Sequence, residues 1–96
     1  MFSYRVFKTS NDTLLAVADA ALLGKELKEG NHKIMVSDFY RGELCGAETI
    51  RKLVKSATII NIMGENAVSL FVKENIVKKE NILLIGGVPH AQVINV

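Results

Sequence analysis

The sequence contains one cysteine, one proline and no apolar run near the ~18 residues that suggest a membrane span. The lone Cys45 cannot close an internal disulfide, so nothing indicates an oxidising compartment. The opening Met1-Phe2-Ser3-Tyr4-Arg5 lacks the charged region, apolar stretch and cleavage site of a signal peptide. These absences predict a cytoplasmic protein with no membrane partner. There is no internal repeat, low-complexity tract or Pro/Ser-rich linker, so residues 1–96 are expected to form a single domain.

Catalytic and metal-binding sets are equally sparse. His32, His90 and Cys45 are too few and too scattered for a metal-ligand spacing, so no metal is expected. Cys45 would need a base or a positive field beside it to act as a nucleophile, and the sequence places neither there. A buried, inert thiol is the expectation. No nucleophile, base and acid can be assembled. No cofactor is expected either.

What is present is a globular composition. Hydrophobic residues make up 49% of 96, enough for a packed core. A chain of this size buries roughly 60–65% of its unfolded surface. The net charge of +2 permits contact with nucleic acid without demanding it. Lysine pairs at 25/28, 52/55 and 78/79 are interleaved with Glu26, Glu29, Glu48 and Glu80, as on a solvated surface.

Alternation over Phe2–Phe7 predicts a strand, Ser10-Asn11-Asp12 a turn, and Leu14–Ala18 a second strand, together a hairpin. Asp19 is expected to cap a short turn through Leu23 that Gly24 closes. Two short strands should flank Glu29-Gly30-Asn31, and residues 37–46 read as irregular. From Ala47, residues Ile50, Leu53, Val54 and Ala57 share one helical face. The β-branched Thr58–Ile62 reads as a buried strand, with a continued helix as the alternative. A second helix should run from Gly64-Glu65 to about Asn75, burying Ala67, Val68, Leu70, Phe71 and Val72. Ile82–Ile85 and Ala91–Val96 complete the strands. Strand, helix, strand in this half implies a crossover with parallel neighbours. The expected fold is a two-layer α+β or α/β sandwich, a mixed β-sheet with two main helices packed on it.

The segment richest in chemistry is Ile85-Gly86-Gly87-Val88-Pro89-His90-Ala91-Gln92. Two glycines after a strand permit positive φ or close approach to a ligand, and Pro89 stiffens the exit. A cis Val88–Pro89 bond is one option. His90 would then project from a rigid turn, able to titrate near neutral pH. A plain hairpin connection, with His90 bonded to backbone, explains the same residues without a ligand.

Asn61-Ile62-Met63-Gly64-Glu65 is the second candidate, because N–H groups at a helix entrance can hold an anion. Glu65 opposes a phosphate there, and the lysine and spacing of a P-loop are missing. The competing reading of Asn61 is a buried amide tying loops together. A third cluster, Asp38-Phe39-Tyr40-Arg41-Gly42, could stack on bases or meet a partner surface. Its structural alternative has Phe39 capping the core, Tyr40 half-packed and Arg41-Gly42 in a turn.

Leu22-Leu23-Gly24-Lys25, Phe39-Tyr40-Arg41-Gly42, Asn61-Ile62-Met63-Gly64-Glu65-Asn66-Ala67-Val68 and Gly86-Gly87-Val88-Pro89-His90 occur in that order. Together they resemble the archaeal family catalogued as domain of unknown function 424, over nearly the whole chain. The resemblance implies an archaeal, cytoplasmic, two-layer α/β protein. It brings no activity and no catalytic residue.

Three functions follow in order. The first is a non-catalytic binding module for RNA or a ribonucleoprotein. The second is a small-molecule site or enzyme around His90, with Asn61 or Glu65 converging on it. The third is an assembly protein, a homodimer through a sheet edge where the C-terminal strand could lie.

Overall fold

The structure is a computed structural model that describes residues 1–36 and 38–94. Its centre is a mixed six-stranded sheet in the order β5-β1-β2-β6-β8-β7. Strands β1 (Phe2–Lys8) and β2 (Thr13–Asp19) form the predicted antiparallel hairpin. A 3-10 turn, Ala20–Leu22, leads to a separate two-stranded sheet of β3 (Glu26–Glu29) and β4 (His32–Met35). Next come β5 (Glu43–Cys45), α1 (Ala47–Val54), β6 (Ile59–Met63) and α2 (Glu65–Lys73). The chain ends in the hairpin of β7 (Leu83–Ile85) and β8 (Val88–Ile94).

Both helices pack on one face of the sheet, giving the expected two layers. Alternation decides which side chains meet them. Leu15, Val17, Ile60, Ile62 and Ala91 point toward α1 and α2 and join Ile50, Ala67, Val68 and Phe71 in the main core. Burying a ring such as Phe71, 1% exposed, contributes about 2–3 kcal/mol. On the opposite face a smaller cluster of Ala18, Leu27, Val36 and Met63 forms where β3 and β4 cover part of the sheet. Covered on both sides, β2 buries Leu15, Ala16, Val17 and Ala18 in succession. That explains its continuous apolar run.

Helix α2 ends in a Schellman arrangement. The Ile76 N–H donates to the Phe71 carbonyl at 2.9 Å, the Asn75 N–H donates to Val72 at 3.0 Å, and Asn75 takes φ 60°.

Several expectations need correction. The stretch expected to be irregular contains β5, which pairs with β1 through Phe2–Cys45, Ser3–Leu44 and Tyr4–Glu43. Only three residues long, it carries too little alternation to read from sequence; Ser37 of that stretch lies outside the described residues. The expected strand over Thr58–Ile62 is β6, at Ile59–Met63, and it runs parallel to β2. The neighbour of β6 on its other side is antiparallel β8, not a parallel strand, because α2 crosses over to β7 and a tight turn then inserts β8 between them. The C-terminal strand is therefore interior, and the sheet edges are β5 and β7. It also starts earlier than expected, at Val88; Asn95 and Val96 of the expected strand lie outside the described residues.

Asp19 does not cap its own turn, where its side chain makes no hydrogen bond. It caps α2 instead. Its carboxylate accepts from the Asn66 N–H at 3.0 Å and the Ala67 N–H at 2.7 Å.

Candidate functional site

Gly86 and Gly87 form a two-residue hairpin turn with φ of 55° and 82°. Positive φ at both positions matches a type I′ turn, whose twist suits the strands it joins. Ile85 pairs with Val88 across it, so Leu84–Pro89 is the next pair. In such a hairpin that second pair exchanges no ladder bonds, and on the β6 side the Gly64 carbonyl already accepts from the Val68 N–H, so the missing Pro89 N–H leaves no acceptor unpaired. The Val88–Pro89 bond is trans. Gly86 also meets a close neighbour: a Cβ there would lie 2.8 Å from Leu27 Cβ and 3.0 Å from the Lys28 carbonyl. Its N–H donates to Glu29 Oε2 at 2.8 Å. The close approach that the glycine permits is to strand β3 of the same chain.

The entrance to α2 is likewise filled from within. Its free N–H groups hold the Asp19 carboxylate, so no external anion is needed there. Gly64 sits at φ 116°, ψ 153°, a region open essentially to glycine alone, and a Cβ there would be 2.5 Å from Asp19 Cγ. Asp19, expected as the cap of its own turn, thus serves a helix entrance whose N–H groups lie 47 and 48 positions away.

The two glycine-bearing segments do meet. Gly64 donates to the Pro89 carbonyl at 2.9 Å, and Met63 pairs with His90 and Asn61 with Gln92. Their side chains, however, divide between the faces. Glu65 and Pro89 line a groove of about 570 Å³ on the helix side, with Val68, Val72, Lys73 and Lys79. His90 and Met63 open instead into a cavity of about 160 Å³ on the other side, beside Tyr40. The sheet separates His90 from Glu65, so Glu65 does not converge on it.

The face away from the helices carries two cross-strand rows, the first with Ala16 fully buried at its middle. One runs Arg5–Ala16–Asn61–Gln92, the other Phe7–Leu14–Ile59–Ile94. Asn61 is half-buried rather than buried, and no hydrogen bond to its side chain ties loops together among the described residues. Gln92 beside it is exposed.

Phe39 does not cap the main core. Its ring stacks on Phe7 at 5.1 Å and meets Tyr40 edge-on at 5.1 Å. The Arg5 guanidinium lies 4.7 Å from the Phe7 ring centre and donates to the Asp38 carbonyl at 3.1 Å. Buried Ser3 stitches this segment to β1: its hydroxyl donates to the Tyr40 carbonyl at 2.8 Å and accepts from the Gly42 N–H at 3.0 Å. Gly42 is required, since a Cβ would overlap the Tyr4 carbonyl. Arg41 pairs with Asp38 at 2.9 Å on the surface, closing the turn.

Burial raises the Tyr40 phenol above its ordinary pKa. Burial also pushes the Cys45 thiol up; the N-terminal ammonium opposes this and Glu43 adds to it. A half-buried thiol held protonated is a poor nucleophile. Among the described residues, no group of three or more His, Cys, Asp or Glu side chains could hold a metal ion. Nor is any helix there long and apolar enough to cross a membrane.

The architecture defines a two-layer α+β protein with helices on one face and a partly open sheet on the other. The chain belongs to the family described as protein of unknown function (DUF424), which matches residues 7–96. It is similar in structure to an uncharacterized conserved protein from Methanopyrus kandleri, with a TM-score of 0.81 and 31% identity over 96% of this chain and 89% of that one. No curated protein matches the sequence.

Proposed function

We propose that this protein is a non-catalytic cytoplasmic module that binds single-stranded RNA on its helix-free sheet face. The supporting observation is the cluster of Arg5, Phe7, Phe39 and Tyr40 beside the Asn61–Gln92 pair. Unpaired bases stack on aromatic rings and guanidinium planes, and side-chain amides can read their polar edges. A sheet presents such groups at fixed spacing, whereas the deep groove of an RNA duplex would exclude them. The mild net positive charge suits a backbone contact of moderate strength.

Fluorescence anisotropy with an oligouridylate and an RNA duplex, at low and then rising salt, tests this reading. Saturable binding to the single strand that weakens with salt is expected. No binding at low salt would remove it.

A second reading draws on the edge strand β7, where Leu83 and Leu84 are each 64% exposed. Pairing of that edge with a second copy would cover both. Static light scattering at high concentration distinguishes a dimer from a monomer.

A further inference from the structure

Strand β7 ends the sheet, with β8 as its paired neighbour among the described residues. Ile85 and Val88 close the hairpin and exchange ladder bonds, so the N–H and carbonyl of Leu84 point away from β8, toward the open edge. Leu83 and Leu84 are each 64% exposed there. Pro89, across from Leu84, and Ile82, two positions before it, both line the groove of about 570 Å³ beside α2. Alternation therefore turns Leu84 to the groove's side of the sheet. Helix α2 packs over β2, β6 and β8, and Leu84 beyond it stays uncovered.

The groove has an apolar wall, Val68 and Val72 of α2, and its charges are sorted by end. Glu65 opens α2; Lys73 closes it about 12 Å farther along the axis, at the end where Lys79 and Ile82 lead into β7. Neither lysine has an ion-pair partner among the described residues. An added strand is held by main-chain bonds to an open edge and selected by pockets for alternate side chains. We propose that an extended segment of a partner protein adds to β7 in this way. An apolar side chain of the segment lies against Leu84, Val68 and Val72, and an acidic one two positions along meets Lys73 and Lys79. Same-face residues of a strand stand about 7 Å apart, the step from Leu84 to the level of Ile82. A second copy has no carboxylate from Asn81 to Gly87, so β7 paired with β7 leaves both lysines unmet. RNA would meet the lysines and leave the strand edge and the apolar wall unused. The inference is independent of the RNA-binding reading, which uses the other face of the sheet.

The test uses the full chain. Fluorescein-labelled octapeptides with leucine and aspartate two positions apart, in either order, among threonines and serines are titrated and followed by anisotropy and amide NMR. We expect saturable binding of at least one order, shifts at Leu84 and Val72, and at least tenfold weaker binding when lysine replaces the aspartate. Leu84→Pro removes the outward N–H at an edge position that tolerates proline, and should abolish binding. Lys73→Glu with Lys79→Glu alters two exposed side chains and should reverse the preference, so that the lysine peptide binds more tightly. Absence of binding in both orders overturns the proposal, as does binding that leaves Leu84 and Val72 unmoved. A Leu84→Pro variant that melts like the wild type and binds unchanged also overturns it, as does a double lysine variant that still prefers aspartate. Static light scattering should find the wild type monomeric; a dimer that Leu84→Pro dissolves would give the edge to a second copy and overturn the assignment.

Discussion

The Asp19 carboxylate occupies the space that any side chain on Gly64 would need. A Cβ at residue 64 would lie 2.5 Å from Asp19 Cγ, while the same carboxylate accepts from the Asn66 and Ala67 N–H groups. The end of β2 is thereby tied to the start of α2. Gly64→Ala combines a disfavoured backbone with steric overlap and should cost at least about 2 kcal/mol. Asp19→Ala removes a cap and should cost about 1–2 kcal/mol. Urea denaturation measures both, and an unchanged midpoint for Gly64→Ala would refute the arrangement.

The two turn glycines should respond differently. A methyl group on Gly87 would point into open space, with no neighbouring side chain or strand within 4 Å, so alanine there meets only the positive-φ cost of about 1–2 kcal/mol. Gly86→Ala adds the clash with Leu27 and the Lys28 backbone and should be clearly the more destabilising. Equal losses at the two positions would show that β3 does not press on the turn.

The RNA-binding reading makes a prediction about Phe7. Base stacking on one aromatic ring is worth about 1–3 kcal/mol, so Phe7→Ala should weaken oligouridylate binding by roughly tenfold or more. Arg5→Ala should also weaken binding and reduce its salt dependence. Both are read by anisotropy against the wild type. Unchanged affinity in both variants would move any RNA site off this face.

Cys45 should react slowly. Because burial raises its pKa, its thiolate fraction at neutral pH lies below that of a free cysteine. The rate of reaction with a disulfide reagent should be slow at pH 7 and reach half its maximum at a higher pH than a model thiol. A rate matching the model thiol at pH 7 would contradict the buried placement.

Tyr40 gives a pH dependence with a definite sign. Its folded pKa is raised, so the unfolded chain loses the phenolic proton first as pH rises. The stability this burial contributes is complete below the unfolded tyrosine value of about 10 and is lost as pH climbs through the higher folded value. Tyr40→Phe should therefore lose less stability than the wild type between about pH 9 and 11. Parallel declines in the two proteins would argue against it.

Much of the fold was legible locally. The β1–β2 hairpin, both helices and the β3–β4 pair follow from periodicity and turn residues, since each is decided by neighbours in sequence, whereas β-branching over Thr58–Ile62 favoured a strand and left a continued helix open. Strand β5 was not, because three residues gain their conformation from pairing with β1. The direction of β8 relative to β6 also escaped. It depends on a two-glycine turn returning the chain between two strands already parallel to each other. For the site, the sequence singled out His90, Asn61 and Tyr40, and the fold sorted them. Pro89 and Glu65 lie on one side of the sheet, His90 and Tyr40 on the other.

By itself the sequence determined most of the elements, the burial of their apolar stripes and the turn at Gly86-Gly87, because backbone preference and hydrophobic period are local properties. Only the tertiary structure decided what those residues face. Asp19 fills the helix entrance that could otherwise hold an anion, and β3 fills the approach that Gly86 leaves open. Both outcomes join residues far apart in the chain, 48 positions in the case of Asp19 and Ala67, a distance no local pattern encodes.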